Sequence, residues 1–399
     1  MKRQFLTILL LTMLMTSMAQ MKGYDTAFTL SQRNFVMTVP IEVEQDRIYL
    51  CVTMNGQSYR FLLDTGASQG VIYEDVAVDG LREWGFIKSV DATGESRQVQ
   101  TVVLPPLTLG SLTIRDYKVQ RMNRRVKQPD EDGIIGFALF NAGLAAKIDT
   151  RQQLLTLTDR RRHFRDADGE ALKYKLIRHV PHVMVSPFEG AEDDVLFDTG
   201  SPMLYAPNSV QLATMEANVP AVQHQIEGTT YGSRSMGHFG SEHSRQITML
   251  RLERLMWGGF AFRDVHCASV QGGSHVGAQV LRYGAMVIDP FRKLLVFQPY
   301  DGATSCDVPD NRPDIIIVER SGKAVVGMVM KEGRAWQAGF RQGYVFEKVN
   351  GQPVSFEEFN SFRWVKGLTY DFTMRLPIGI CTTVVALWPS QYNKPQGRK

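Results

Sequence analysis

The sequence predicts a mainly β fold made of two similar halves, followed by a small α+β unit. Three observations carry that expectation. Short apolar or alternating runs separated by Gly-rich turns dominate the first 300 residues, the pattern of strands rather than of long helices. Two segments then begin alike, Phe61-Leu62-Leu63-Asp64-Thr65-Gly66-Ala67-Ser68 and Val195-Leu196-Phe197-Asp198-Thr199-Gly200-Ser201-Pro202, each an apolar run ending in Asp-Thr-Gly. After Tyr300 the chain turns polar and proline-containing from Asp301 to Pro313, as a linker does, and a new pattern follows.

The duplication extends beyond its opening motif. Ile134-Ile135-Gly136 is followed by FALFNAGLAAKIDTRQQLLTL, and Val276-Gly277 by AQVLRYGAMVIDPFRKLLVF, with a single-residue gap between the two blocks. The distance from Asp64 to Gly136 is 72 residues and that from Asp198 to Gly277 is 79. Each copy starts with paired strands. In the first, Ile48 to Met54 and Tyr59 to Leu63 flank an Asn55-Gly56 turn, a strong hairpin signal. In the second, Val183 to Val185, a polar turn from Glu189 to Asp194, and Val195 to Phe197 follow in order. One short helix is expected around Ala142 to Lys147, with a counterpart in the second copy. Arg160-Arg161-Arg162 through Gly169 reads as a solvated, charged connector between the copies.

Composition sets outer limits. Of 399 residues, 44% are hydrophobic and 22% charged, ordinary globular values that exclude disorder, collagen and coiled coil. The formal net charge is +4 and would fall to +2 without Lys2 and Arg3, too small for a protein that neutralises many phosphates, so no nucleic-acid partner is expected. Met1-Lys2-Arg3, the apolar run Phe5 to Met15 and the small residues of Ser17-Met18-Ala19 have the layout of a bacterial export signal over residues 1–19. That run is too short to span a bilayer, so a periplasmic or extracellular protein without a stable membrane span is expected. Cys51, Cys267, Cys306 and Cys381 are too few for a disulfide scaffold and lack zinc spacing. The histidines include no HExxH pair, and His238 and His243 stand poorly for two ligands on one helix face, so no metal is expected.

A strand that ends in aspartate, a small hydroxyl residue and glycine presents a carboxylate on a tight turn that a partner can approach closely. Two such turns in duplicated halves can face each other across a pseudo-twofold axis, bringing Asp64 and Asp198 to one shared water. Like charges that close cannot both ionise, so the pair holds one proton between them. One carboxylate can then take a proton from water while its protonated partner polarises a carbonyl. Ser201 offers Asp198 a hydroxyl donor that Ala67 cannot offer Asp64, which predicts Asp198 as the more readily ionised member.

With these residues in place, the chain resembles the pepsin and retropepsin superfamily of aspartic peptidases over roughly residues 36–300. The resemblance implies a bilobal double β-barrel with lobes over 20–160 and 161–302, catalytic Asp64 and Asp198, and threonines Thr65 and Thr199 that lock two loops together. Gly66, Ser68, Gly200 and Ser201 would support the site, with Ile134-Ile135-Gly136 and Val276-Gly277 beneath the loops. It also implies a peptide or protein substrate and no cofactor, since the nucleophile is water. A flap is expected at the hairpin around Asp91-Ala92-Thr93-Gly94-Glu95-Ser96, with Thr93 and Gly94 at its tip and without the tyrosine usual in pepsins. His275 stands where an apolar residue would precede Val276-Gly277, and a tyrosine occurs instead in the second copy, at Tyr231. Both aspartates lie on one chain, so a monomer is expected.

Two competing readings use the same residues. Gly66-Ala67-Ser68-Gln69-Gly70 fits GxSxG, the nucleophile elbow of α/β-hydrolases with Ser68 as nucleophile, but the elbow requires a following helix and Val71-Ile72-Tyr73 reads as strand. A duplicated β fold that only holds peptides is the other alternative, set against the retention of both aspartates. Beyond the linker, Val325 to Val329, Gly333-Arg334-Ala335, Gly339, Gly343 and Val349-Asn350-Gly351 resemble a PDZ domain of the bacterial protease-associated type over residues 312–390. Such domains add an extended peptide to a sheet edge. Here that edge would be Ile315 to Val318, approached by Asp314 instead of a glycine, and the unit is expected to recognise a peptide ligand or to gate the site.

Overall fold

The computed structural model describes residues 23–124, 131–310, 312–365 and 367–387. The leader expected over 1–19 and the last residues of the unit expected over 312–390 lie outside them. The fold is mainly β, and among the described residues no helix is long and apolar enough to cross a membrane.

Both halves are built on the same local logic. Arg47–Met54 and Gln57–Asp64 form an antiparallel hairpin whose two turn residues, Asn55 and Gly56, both have positive φ (50° and 78°), the turn whose twist matches that of paired strands. Val180–Phe188 and Ala191–Asp198 are its counterpart, turning at Glu189-Gly190. These strands are longer than the sequence suggests. The polar stretch Glu192-Asp193-Asp194 is strand rather than turn, because Asp193 is buried and accepts a hydrogen bond from the Tyr205 hydroxyl (2.7 Å).

Later in each half a short strand returns parallel to the second strand of the hairpin. Gly133–Gly136 pairs in parallel with Gln57–Asp64, placing Gly136 opposite Asp64, and antiparallel with Gly70–Tyr73. His275–Gly277 repeats this, parallel to Ala191–Asp198 with Gly277 opposite Asp198, and antiparallel to Tyr205–Ala206. His275 keeps its place in that ladder, with its ring Nδ1 against the Gly273 carbonyl (3.2 Å).

A six-stranded sheet joins the halves. Its order is Val36–Pro40, Leu154–Thr158, Ala145–Asp149, Gly284–Asp289, Leu294–Pro299 and Glu170–Lys173, three strands from each copy, with Ala146 opposite Ile288 and Ile148 opposite Met286 at the centre. This overturns the expected helix over Ala142 to Lys147. The helix is the four-residue turn Ala138–Asn141, it is followed by Gly143 at φ 92°, and Ala145–Asp149 is a central strand. Alanine-rich text favours helix only weakly, and pairing on both edges outweighs it. In the second copy the counterpart is a 3₁₀ turn, Ala278–Arg282.

One apolar core runs through both halves, with an aromatic centre in which Phe297 meets Phe260 (5.1 Å), Phe262 (5.6 Å) and Trp257 (6.4 Å). Offset and edge-on contacts of this kind add about 0.5–1.5 kcal/mol per pair beyond burial. The expected linker is partly structural, since Ser305–Asp307 pairs in parallel with Phe260–Ala268 and Val308 is buried. Three polar residues give no periodicity from which a strand could be read.

The C-terminal sheet has the order Ile315–Arg320, Lys323–Val329, Val345–Val349, Thr369–Arg375 and Cys381–Leu387, with its own core around Phe340, Phe346 and Phe372. The helix Phe356–Ser361 starts with a capping box between Ser355 and Glu358. This sheet packs on the second half through Met328, only 2% exposed, which joins Ile247, Met249 and Ala268.

Candidate active site

The parallel return strands make both Asp-Thr-Gly turns possible. In the first half the turn following Asp64 is fixed from below, where the Phe137 N–H donates to the Ala67 carbonyl (2.7 Å). In the second half the Ala278 N–H donates to the Ser201 carbonyl (2.8 Å). A β-carbon at Gly136 would lie 2.7 Å from the Ala67 carbonyl oxygen, and one at Gly277 would lie 2.4 Å from that of Ser201, so each support strand passes where only glycine fits.

The two turns are bound to each other by their threonines, both fully buried. The Thr65 hydroxyl donates to the Phe197 carbonyl (2.6 Å) and accepts from the Thr199 N–H (3.0 Å). The Thr199 hydroxyl donates to the Leu63 carbonyl (2.7 Å) and accepts from the Thr65 N–H (3.0 Å). Four hydrogen bonds thus cross the pseudo-twofold axis, two in each direction.

Asp64 and Asp198 face each other above this junction and share a hydrogen bond. Each carboxylate lies over the other turn's glycine. A β-carbon at Gly66 would come 2.5 Å from Asp198 Oδ1, and one at Gly200 would come 2.5 Å from Asp64 Cγ. Asp64 Oδ1 accepts from the Gly66 N–H (2.8 Å) and the Ala67 N–H (3.0 Å), and Asp198 Oδ1 accepts from the Gly200 N–H (2.9 Å).

The pair titrates as a unit. Enclosure by protein, then the Asp198 charge and the hydrogen bond to it, push Asp64 up to about 7 against the pull of the Ala67 and Gly66 amides. Enclosure also raises Asp198, but the hydrogen bond from Asp64 and the backbone amides of Gly200, Ser201 and Gly66 work in the opposite direction. Enclosure and mutual repulsion therefore favour one proton held between the two carboxyls. The contrast expected between the Ser201 and Ala67 side chains is softened by their backbones: Ser201 acts on Asp198 through its amide. Ala67 also does offer Asp64 a donor, through its backbone.

Ser68 lies beside the first turn, where its carbonyl accepts from the Tyr24 hydroxyl. The chain beyond it continues into the strand Gly70–Tyr73, so the strand-to-helix elbow that a nucleophilic Ser68 requires is not formed. Thr93 and Gly94 sit at the tip of the hairpin Arg82–Val90 and Ser96–Val103. Asp91 organises that tip, its Oδ1 accepting from the Thr93 N–H (2.9 Å), the Thr93 hydroxyl (2.7 Å) and the Glu95 N–H (3.1 Å). Its other oxygen, for which the sequence carries no local signal, reaches further: Asp91 Oδ2 accepts the Phe239 N–H from the second half (2.8 Å). Tyr231 stands on the strand Ile226–Gly232 and is 58% exposed. Burial lowers the basicity of His275. Among the described residues no cluster of three or more His, Cys, Asp or Glu side chains is placed to hold a metal ion.

Residues 50–139 match a family model described as aspartyl protease, a stretch holding the first Asp-Thr-Gly turn, the 82–103 hairpin and the support strand. Among solved structures, the chain is similar to an aspartic proteinase from Irpex lacteus, with 16% identity, a TM-score of 0.44, and coverage of 68% of this chain and all of that one. No curated protein matches the chain.

The threonine junction generates a direct expectation. Thr199→Val keeps the shape but leaves the Leu63 carbonyl and the Thr65 N–H unpaired, at roughly 1–3 kcal/mol for each buried group. Chemical denaturation should show Thr199→Val destabilised by that order and Thr199→Ser close to wild type; equal stability of all three proteins would refute the role given to the junction.

Proposed function

We propose that this chain is an exported aspartic endopeptidase in which Asp64 and Asp198 activate a water for attack on a peptide bond. The single observation that carries the reading is geometric: two enclosed carboxylates meet across a junction of buried threonines, where burial and mutual repulsion favour holding one proton between them. The family match over residues 50–139 supports a peptidase independently of that geometry. In the proposed reaction, charged Asp198 takes a proton from water as its oxygen adds to the carbonyl carbon, and Asp64 gives its proton to the carbonyl oxygen. The tetrahedral intermediate collapses when Asp198 passes its proton to the amine nitrogen, the C–N bond breaks, and the diol proton returns to Asp64. Water is the nucleophile, so neither metal nor organic cofactor enters.

The division into lobes over 20–160 and 161–302 is part of the same proposal, as is an export leader over 1–19, a monomeric state, and a PDZ-like unit over 312–390. The strand and helix order of that unit supports it. Peptide capture at its outer strand, Ile315–Arg320, is the finer proposal. Asp314 does not oppose it by facing the edge, because its Oδ2 accepts the Ala335 N–H (3.0 Å) at the start of the turn Arg334–Gln337.

Three measurements bear on this. Cleavage of a diverse peptide pool should fall roughly 100- to 10,000-fold in both Asp64→Asn and Asp198→Asn, and kcat/KM of the wild type should decline as pH rises past about 7, where Asp64 loses the proton that polarises the carbonyl. Undiminished cleavage by either variant would sink the mechanism. Sequencing the amino terminus of protein recovered from an expressing bacterium should begin just after Ala19, and an intact Met1 would argue against export. An array of peptides with free and amidated C-termini should show preference for the free ends if the outer strand captures them; equal binding would remove that role.

A further inference from the structure

The hairpin Ile226–Gly232 and Arg245–Trp257 of the second half occupies the place that Arg82–Val90 and Ser96–Val103 occupy in the first. Its tip reaches across to the first half. The Phe239 N–H donates to Asp91 Oδ2 (2.8 Å), and the Phe239 carbonyl accepts from Arg97 Nη2 (3.1 Å). One residue thus has both backbone groups taken by side chains of the first hairpin. Its ring packs against an apolar cluster of the first half that includes Tyr49, Val71, Tyr73, Val99 and Ile134, beside Ala67 of the first Asp-Thr-Gly turn. The Arg97 guanidinium covers the ring from 5.4 Å.

The tip is firmly built. The Gly237 N–H donates to the Gly240 carbonyl (2.8 Å), and Glu242, buried, accepts from the backbone N–H groups of Arg234 (2.7 Å) and Ser235 (3.1 Å). It is also held from outside by the C-terminal sheet. The Ser233 N–H donates to the Gly327 carbonyl (2.9 Å), the Ser241 hydroxyl to the Glu319 carbonyl (2.9 Å), and Arg320 Nη2 to the Glu242 carbonyl (3.0 Å). A β-carbon at Gly327 would stand 2.4 Å from the Ser233 carbonyl oxygen, so the sheet approaches the tip as closely as backbone can.

We propose that the tip around Phe239 is an internal plug of the substrate cleft: its aromatic side chain fills the apolar pocket beside Ala67 that receives a large apolar side chain of the substrate, and the C-terminal sheet holds the plug in place. This rests on the peptidase reading. It gives the C-terminal sheet a gating part. The plugged and open forms are alternatives, so a substrate binds with its intrinsic affinity reduced by the fraction of chains that are open.

Two measurements on the full chain test this. Hydrogen exchange read by mass spectrometry over residues 86–99 should quicken at least about tenfold in Phe239→Ala, which removes the plug side chain, and in Arg320→Ala, which removes only its brace. With peptides carrying Phe, Leu or Met, Phe239→Ala should lower KM at least about fivefold with kcat nearly unchanged. Unchanged exchange over 86–99 in both variants overturns the proposal, and so does a raised KM in Phe239→Ala, the result expected if Phe239 instead helps to clamp substrate. Exchange needs no turnover, so a chain that cleaves nothing would sink the peptidase reading while the contact of plug and hairpin is still decided by the exchange rates.

Discussion

The four hydrogen bonds that Thr65 and Thr199 make across the pseudo-twofold axis, two to each other and two to the Phe197 and Leu63 carbonyls, are the constraint on which the rest of the site depends. Two carboxylates repel and each loses hydration on being enclosed, so nothing in the pair itself brings it together. The threonine bonds do so from below, between groups that are buried and therefore costly to leave unpaired. Once the turns are joined, each carboxylate has no room but over the other turn's glycine, and sharing a proton becomes the lower-energy arrangement.

The joining sheet serves the same end at larger scale. Ala145–Asp149 and Gly284–Asp289 pair across the pseudo-twofold axis, and each runs directly out of the segment that follows its support strand. The register of the two halves is therefore set twice, once by threonines near the reacting atoms and once by a ladder of backbone bonds. Symmetry stops at the carboxyls. Asp64 Oδ1 accepts two turn amides and Asp198 Oδ1 one, so two residues identical in type sit in unlike surroundings.

Asymmetry is larger above the site. The first hairpin has a short tip organised by a single carboxylate, Asp91, whereas the second carries a long glycine- and serine-rich tip that needs Glu242 and the C-terminal sheet to fix it. A loop of that composition has little apolar surface to order it by burial, and ordering its backbone costs roughly 1–2 kcal/mol per residue. The bonds from Gly327, Glu319 and Arg320 offset that cost, so a sheet far along the chain fixes a loop that meets the first half.

The duplicated motifs, the Asn55-Gly56 hairpin and the support glycines were legible because their signals are local: a turn that demands positive φ, a strand that alternates, a glycine where two backbones approach. For the same reason the sequence by itself determined a mainly β chain with two facing aspartates. It misplaced the helix over Ala142 to Lys147 and the turn from Glu189 to Asp194, because partners distant in sequence, Gly284–Asp289 for one and Tyr205 for the other, decide those segments. Nor could it show Phe239 resting on the first half, since an aromatic residue among glycines and serines has no periodicity to read. The tertiary structure alone decided how many amides meet each carboxylate and which loop meets which hairpin, because both depend on backbone amides and carbonyls, groups that every residue possesses and only the fold can aim.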